Sequence, residues 1–287
     1  MRHVLHSTVR NVLVHYCLFR TGGHVLDAVL EKNFCDALAI LSASCAGGTL
    51  SNSELVEFVQ CHPEISAVSS YHLRPPKPEL DWLVVFDIFL LRDPLERLCS
   101  IFKYHSKTGG AGPLDRLARE CDLGKFLEHL ISSHPHLVND TQVCYLAAGG
   151  RFYRPPSNSD LEKAVAVLEQ SAVPATTSQL DVALVSAEYY LGPAFPNLDL
   201  SYVAPPQSSE AQAEVSAHEL LKDRCSASTY AYILELTQLD SQLVHRVEVE
   251  ILRRFEKIPD AGDRLRNFKA RCASATEYFL EYDDVNA

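Results

Sequence analysis

The sequence predicts an α/β protein with three layers, in which helices cover both faces of a central parallel sheet and additional helices follow at the C-terminus. Two observations lead to this fold class. Short β-branched, apolar runs alternate with helical patterns, and the strongest strand pattern, residues 82–91, is apolar almost throughout, as in a strand buried on both faces. The 287 residues fit one large domain, and we predict a single domain over 1–287.

The individual elements follow from apolar periodicity and from helix-capping residues. The clearest boundary is the end of the strand at 82–91, where Asp93 is a good N-cap, Pro94 suits the first helical position and Glu96 the third. Strands are predicted at 9–19, 65–71, 82–91 and 173–176. Helices are predicted from about 25, at 51–60, 94–107, 123–133, 140–148, 160–171 and 180–191, and then over 229–281, with one long helix at 230–255 and a last one at 263–279; residues 201–218 form an exposed loop.

Composition excludes several classes of function. Lys plus Arg number 26 against 37 Asp plus Glu, a formal net charge of −11, and an acidic surface of this kind repels polyanions. We therefore expect neither nucleic acid nor a highly sulfated glycan as partner, and any bound anion needs a local basic pocket. The most apolar stretch, residues 83–91, contains Asp87 and falls well short of the roughly 20 residues of a membrane span, so no span is predicted.

The nine cysteines indicate a reducing compartment. Their number is odd, and no two are closer than Cys35 and Cys45, so the sequence has no C-x-x-C pair for zinc or redox chemistry. We predict a cytoplasmic protein without a disulfide framework and without a metal site. The apolar run at 12–19, which is interrupted by His15 and ended by Arg20, is typical of a buried strand and not of a signal peptide.

Two segments have the features of an anion-binding site. The first, R-T-G-G at 20–23, joins a predicted strand to a predicted helix. Its glycines let the backbone close around an anion at the helix N-terminus, and Arg20 adds a fixed positive charge. The second, R-D-P-L-E-R-L-C-S at 92–100, begins at the C-terminal end of a buried strand, where ligands of open α/β sheets bind. Taken separately, a plain turn and a well-capped helix remain the alternatives.

Together, and in this order along the chain, the segments resemble sulfotransferases that use 3′-phosphoadenosine-5′-phosphosulfate (PAPS), in particular the branch that includes carbohydrate O-sulfotransferases. That family has a P-K-T-G-G-T-S-L type loop for the 5′-phosphosulfate and an F-L-R-D-P-x-x-R-x-x-S segment for the 3′-phosphate. This chain has L-F-R-T-G-G-H-V-L at 18–26 and F-L-L-R-D-P-L-E-R-L-C-S at 89–100. Further similarities lie at 139–149 and 236–243, so the resemblance spans about 10–257.

The resemblance implies a P-loop nucleotide-binding fold and in-line transfer of a sulfuryl group from PAPS to a hydroxyl of a small-molecule or glycan acceptor. The implied product is 3′,5′-diphosphoadenosine, and no metal is required. His72, which follows the strand at 65–71, is the implied catalytic base, and Arg20 the implied stabiliser of the leaving phosphate. The implied nucleotide contacts are Arg20, Thr21, Gly22, Gly23, His24, Arg92, Ser100 and Thr177.

The first segment departs from the family pattern. Arg20 replaces the loop lysine, and His24 and Val25 replace two hydroxyl residues, so a non-catalytic protein that still binds PAPS or another nucleotide is the alternative function. An ordinary P-loop kinase is disfavoured because G-x-x-x-x-G-K-[ST] is absent. His15 and His24 flank the loop as alternative bases, and Arg74 either orients an acceptor or lies in solvent.

Overall fold

A five-stranded parallel sheet forms the centre of the protein. The computed structural model describes residues 9–45, 47–203 and 215–285, with side chains described up to residue 276. The strands are β1 (Arg10–Tyr16), β2 (Leu38–Ile40), β3 (Ala67–Ser70), β4 (Leu83–Leu91) and β5 (Val173–Thr176). Their order is β2-β3-β1-β4-β5, and every neighbouring pair is parallel. Helices flank this sheet in a three-layer α/β/α arrangement, which confirms the predicted fold class.

The helices surround the sheet and extend beyond it. In the described ranges they are α1 (Gly23–Phe34), α2 (Asn52–Cys61), α3 (Pro94–Lys107), α4 (Pro113–Glu120), α5 (Leu123–Ser133), α6 (Thr141–Ala148), α7 (Asn158–Gln170), α8 (Leu180–Leu191), α9 (Ala217–Arg224), α10 (Ala227–Leu236), α11 (Gln238–Phe255) and α12 (Ala261–Val285). Across those ranges, none of these helices is long and apolar enough to cross a membrane.

Two hydrophobic clusters hold these elements together. The larger surrounds the sheet, where residues of β1 and β4 such as Leu13 and Phe89 are completely buried because helices cover both faces. The smaller cluster joins α3, α4, α5, α9 and α10 through buried side chains that include Leu98, Phe126 and Ile233. This second cluster fixes the position of α3, which follows the C-terminal end of β4.

Most element boundaries agree with the sequence prediction, and the differences are local. The predicted helices at 94–107, 123–133 and 180–191 and the strand at 173–176 are confirmed. The single helix at 230–255 was wrong: α10 ends before Thr237, whose side chain hydroxyl donates to the Ile233 carbonyl, and α11 begins after it. The short strand β2 and the helix α4 were not predicted. Of the predicted loop at 201–218, residues 204–214 lie outside the described residues, and α9 already begins at Ala217.

The strand order places the two predicted anion-binding segments side by side. From β1 the chain crosses to β2 and β3 on one side, and it then returns to β4 on the other side of β1. The C-terminal ends of β1 and β4 therefore flank a point where the strand order reverses, and ligands of open α/β sheets bind in such crevices. Residues 17–22 follow β1 and Arg92 follows β4, so both segments border this crevice.

Candidate anion-binding site

The loop after β1 depends on two glycines. Gly22 is the N-cap of α1 with φ +93°, a left-handed conformation that a side chain would strain, and an added Cβ would lie 3.4 Å from the Leu90 side chain. At Gly23, a Cβ would lie 3.1 Å from the hydroxyl oxygen of Tyr71. Among the described residues no side chain caps α1; the Val25 N–H donates to the Gly22 carbonyl at 3.0 Å, and the N–H groups before it have no side-chain acceptor. Such a helix end favours an anion.

Arg20 connects this loop to α3. Its backbone is left-handed, with φ +66°, and its Nε donates a hydrogen bond of 3.1 Å to the Ser100 hydroxyl oxygen. The guanidinium carbon lies 4.9 Å from the ring centroid of Tyr104, a cation–π distance. Burial, and after it the positive charge of Arg92, lowers the pKa of Arg20. The positive charges of the two predicted arginines are therefore close enough to affect each other.

Arg92 has a less buried side chain than its position at the end of a buried strand suggests. Its Nε donates to the Glu96 carboxylate at 3.0 Å, one helical turn further on. Within the described residues, the Nη groups of both Arg20 and Arg92 make no hydrogen bond to the protein. Two neighbouring guanidinium groups with free donors are suited to an anion that accepts bidentate hydrogen bonds, such as phosphate.

A chain of buried side chains holds the main chain of Arg92. The amide of Gln142, completely buried, donates from Nε2 to the Arg92 carbonyl at 2.8 Å, and its Oε1 accepts from the Arg92 N–H at 3.0 Å. Asp240 in turn accepts from the N–H groups of Gln142 and Val143 at 3.1 and 2.8 Å, and so caps α6. The N–H of Asp240 donates to Asp140 at 2.8 Å. The segments at 139–149 and 236–243 thus meet behind Arg92.

This brace, defined here as Gln142, Asp240, Asp140 and Arg97, contains three ionisable groups in a buried setting. Arg97 is 2% exposed and donates from Nη2 to the Leu137 carbonyl at 2.6 Å. Burial raises the pKa of Asp240, and the charge of Arg97 opposes this effect. Burial and the charge of Asp240 raise the pKa of Asp140 to about 7. Arg97 is therefore the buried positive charge that favours the ionised form of Asp240.

The predicted base His72 follows β3, and its ring is turned toward another loop. Its Nδ1 is 2.8 Å from the Gly48 carbonyl oxygen, so Nδ1 carries the proton and Nε2 is the free acceptor. The side chain that lies against the glycine loop is the preceding one, Tyr71, which sequence reasoning did not single out. Burial above all raises the pKa of Tyr71 to about 12, so its hydroxyl is a proton donor at neutral pH.

The remaining predicted contacts surround the loop. Thr21 is buried, and its hydroxyl donates to the Leu18 carbonyl at 3.2 Å, so this side chain is used within the loop. His24 is exposed on the first turn of α1. Thr177, after β5, donates its N–H to the Leu91 carbonyl at 2.9 Å, and its methyl group would lie 3.6 Å from a Cβ at Gly22. The fold thus brings the predicted nucleotide contacts to one end of the sheet.

A cavity of about 350 Å³ opens next to the loop. Arg74 lies on its wall, where the guanidinium carbon is 5.0 Å from the ring centroid of Tyr145 and Nε donates to the Gly149 carbonyl at 3.1 Å. Of the two predicted places for Arg74, a position toward an acceptor or one in solvent, the structure gives a cavity wall. The lining is mostly apolar and aromatic, and carries no carboxylate; its residues are Cys17, Leu18, Phe19, Tyr71, Arg74, Arg97, His136, Leu137, Thr141, Cys144, Tyr145 and Gly150.

Within the described ranges, the fold also assembles a group of potential metal-binding side chains that the sequence did not indicate. His15, Cys17 and Asp27 each place a potential ligand atom within 4.8 Å of the other two. The spacing along the chain matches no zinc motif, and the group forms only because α1 packs over the end of β1. The sequence prediction of no metal site rested on that missing motif.

The chain has a distant similarity to one archaeal protein and matches no known family. No protein-family model matches the chain. The chain is similar to an uncharacterised protein of Archaeoglobus fulgidus, with 20% identity over 250 residues, covering 83% of this chain and 96% of that protein. The similarity thus extends over nearly the full length of the archaeal protein. Because that protein is uncharacterised, the similarity indicates no activity.

Proposed function

We propose that this protein is a PAPS-dependent sulfotransferase whose nucleotide lies in the crevice between β1 and β4. The proposal rests above all on the proximity of Arg20, Arg92 and Ser100. Besides burial, the positive charge of strand-end Arg92 lowers the pKa of loop Arg20, and Arg20 Nε donates to the Ser100 hydroxyl at 3.1 Å. Two separate anionic groups on one ligand, a 5′-phosphosulfate and a 3′-phosphate, suit two separate arginines.

Different residues bind the 5′ side and the 3′-phosphate of the nucleotide. Arg20 and the first N–H groups of α1 hold the 5′ side, and Arg92 with Ser100 holds the 3′-phosphate. The acceptor oxygen bonds to sulfur as the bond from sulfur to the 5′-phosphate oxygen breaks, and the electron pair leaves with 3′,5′-diphosphoadenosine. Arg20 stabilises that leaving phosphate by its charge and hydrogen bonds but does not protonate it, because a guanidinium does not give up its proton.

The acceptor proton goes to a base, for which His72 is the candidate. The hydrogen bond to Gly48 fixes the proton on Nδ1 and leaves Nε2 able to accept the proton of the acceptor hydroxyl. The acceptor, a small molecule or a glycan, enters through the cavity beside the loop, whose aromatic lining favours a compound with an apolar face. We also place the protein in the reducing cytoplasm, since all nine cysteines are free and Cys35, Cys45 and Cys61 are exposed.

The first test is a thermal unfolding series with nucleotides. At about 100 times its dissociation constant, 3′,5′-diphosphoadenosine should add roughly 2.7 kcal/mol to the free energy of unfolding. We expect 5′-AMP, which lacks the 3′-phosphate, and Mg-ATP to shift the transition much less. Equal shifts with all three nucleotides, or none with any, would contradict the assignment of the crevice.

The second test separates binding from turnover. His72→Ala should bind 3′,5′-diphosphoadenosine like the wild type, yet transfer radiolabelled sulfate from PAPS to a panel of phenols and sugars about 10²–10⁴-fold more slowly. His62→Ala is the matched control, since His62 is an exposed histidine that pairs with Glu64 away from the crevice. An active His72→Ala variant would mean that another group accepts the proton.

Non-catalytic nucleotide binding is the second candidate function, and one contact favours it. The Thr21 hydroxyl is bound to the Leu18 carbonyl, so the loop offers a ligand backbone N–H groups and Arg20 but no free hydroxyl. A protein with this function would show the selective shift with 3′,5′-diphosphoadenosine and no transfer to any member of the acceptor panel.

A further inference from the structure

Three side chains with metal-binding groups converge beneath the loop that follows β1. His15 lies near the end of β1, Cys17 directly after the strand, and Asp27 one turn into α1. A nitrogen, a sulfur and a carboxylate oxygen from these residues lie within 4.8 Å of one another. His15 and Cys17 are both 1% exposed, whereas the Asp27 side chain is 30% exposed, so the cluster can be reached from one side.

This cluster has more short polar contacts than it has protons that could form hydrogen bonds in them. Nδ1 of His15 is 3.1 Å from Asp27 Oδ1, 3.1 Å from the hydroxyl of Ser69 in β3 and 3.2 Å from Cys17 Sγ. The Ser69 hydroxyl is in addition 3.1 Å from Cys17 Sγ and 2.5 Å from Asp27 Oδ1. Nδ1, the thiol and the hydroxyl supply at most one proton each, so three protons must serve five contacts. A bound cation would accept these lone pairs, so no proton would be needed for each contact.

We propose that His15, Cys17 and Asp27 bind a zinc ion, with the Ser69 hydroxyl or water as fourth ligand. Zinc prefers an imidazole nitrogen, a thiolate sulfur and a carboxylate oxygen in tetrahedral geometry. Bonds of about 2.0–2.3 Å would separate these ligand atoms by roughly 3.3–3.6 Å. His15 Nδ1 lies 3.1 Å from Asp27 Oδ1 and 3.2 Å from Cys17 Sγ, close to that spacing. A thiolate ligand disfavours the hard cations Mg²⁺ and Ca²⁺. This ion would join β1, β3 and α1, and it does not depend on the proposed sulfotransferase activity.

Metal binding is best measured in a background without exposed thiols. Cys35→Ser, Cys45→Ser and Cys61→Ser remove the three exposed cysteines, which would otherwise bind zinc on the surface. After treatment with a chelator, this protein is dialysed against Zn²⁺ or Mg²⁺, and the bound metal is measured by mass spectrometry. We expect about one zinc per chain and no magnesium. With Co²⁺ as a spectroscopic probe, a thiolate-to-cobalt charge-transfer band should appear.

Variants identify the ligands. Added to that background, Cys17→Ser should abolish the charge-transfer band and weaken zinc binding by more than the roughly 10–100-fold typical of changes outside the ligand shell. Cys99→Ser is the matched control, since Cys99 is also a buried cysteine but lies in α3. It should keep both the band and the affinity.

Three results would overturn the proposal. They are failure of the background protein to take up zinc, absence of the cobalt band, and equal zinc affinity of the Cys17→Ser and Cys99→Ser variants. If Cys17→Ser does not fold, Asp27→Asn replaces it, because this side chain lies at the accessible edge of the cluster and keeps its size. Undiminished zinc affinity of Asp27→Asn would then overturn the proposal in the same way.

Discussion

The two arginines of the candidate site are held in different ways. Both polar groups of the Arg92 main chain are bonded to Gln142, a completely buried amide that Asp240 fixes in turn. Arg20 has a left-handed backbone, and its guanidinium rests on two α3 side chains, Ser100 and the ring of Tyr104. Arg92, on the proposed 3′-phosphate side, is therefore preorganised by the core. Arg20, on the 5′ side, is positioned by neighbouring side chains. Substitutions on the two sides should have different consequences.

The largest effect is expected at Asp240. Asp240→Ala removes the acceptor of two α6 N–H groups and leaves the buried Arg97 without a balancing charge. The free energy of unfolding, measured by urea denaturation, should fall by about 2–6 kcal/mol, since each of the two buried N–H groups left without an acceptor costs about 1–3 kcal/mol. Asp263→Ala is the control, because Asp263 pairs with Arg266 and both side chains are mostly exposed; its cost should stay below about 1 kcal/mol. A similar loss of unfolding free energy in both variants would contradict the inference that the core holds the main chain of Arg92.

A smaller and more selective effect is expected at Arg92. Arg92→Ala keeps the main-chain bonds to Gln142 and removes only the side chain, so the fold should persist. Loss of a charge-assisted contact worth about 1.5–3 kcal/mol weakens binding of 3′,5′-diphosphoadenosine by roughly 10–100-fold. Titration calorimetry with 5′-AMP should show little change. Arg246→Ala, at an exposed pair with Glu162, is the control, and unchanged affinity of the Arg92 variant would remove the 3′-phosphate assignment.

The smallest effect is expected on the loop side. Arg20→Lys keeps the positive charge while giving up the hydrogen bond to Ser100 and the planar stacking on Tyr104. We expect the rate of sulfate transfer to be preserved or raised, and the thermal unfolding temperature to change little. A loss of more than about tenfold in rate, at unchanged nucleotide affinity, would show that the bond between Arg20 and Ser100 is needed for turnover.

Features set by local chemistry could be predicted from the sequence. The start of α3 is one: Asp93 accepts from the N–H groups of Leu95 and Glu96 as an N-cap should, and Pro94 occupies the first turn. The buried strand β4 is another, because helices on both faces require an apolar run. The break at Thr237 was missed because the apolar spacing continues across it, and β2 was missed because three residues give too short a pattern.

Most of the candidate site's support could not be predicted, because it depends on side chains that are distant along the chain. The Gln142 bonds to Arg92 span 50 residues, and those from Asp240 to α6 span nearly twice that. Tyr71 was passed over for its neighbour His72, since a titratable base is the more obvious candidate. The cluster of His15, Cys17 and Asp27 needs α1 to pack over β1 before its atoms meet. No local periodicity encodes such contacts.

The capping of α6 by Asp240 has a consequence for synthesis of the protein. A nascent chain that has emerged through α8 already contains both arginines, the glycine loop, all five strands and Gln142. The carboxylate that caps α6 follows Gln142 by 98 residues. Since chains fold from the N-terminus as they are made, the sheet can assemble on the ribosome while the main chain of Arg92 still lacks its full support. The candidate crevice is completed only when α11 reaches the sheet.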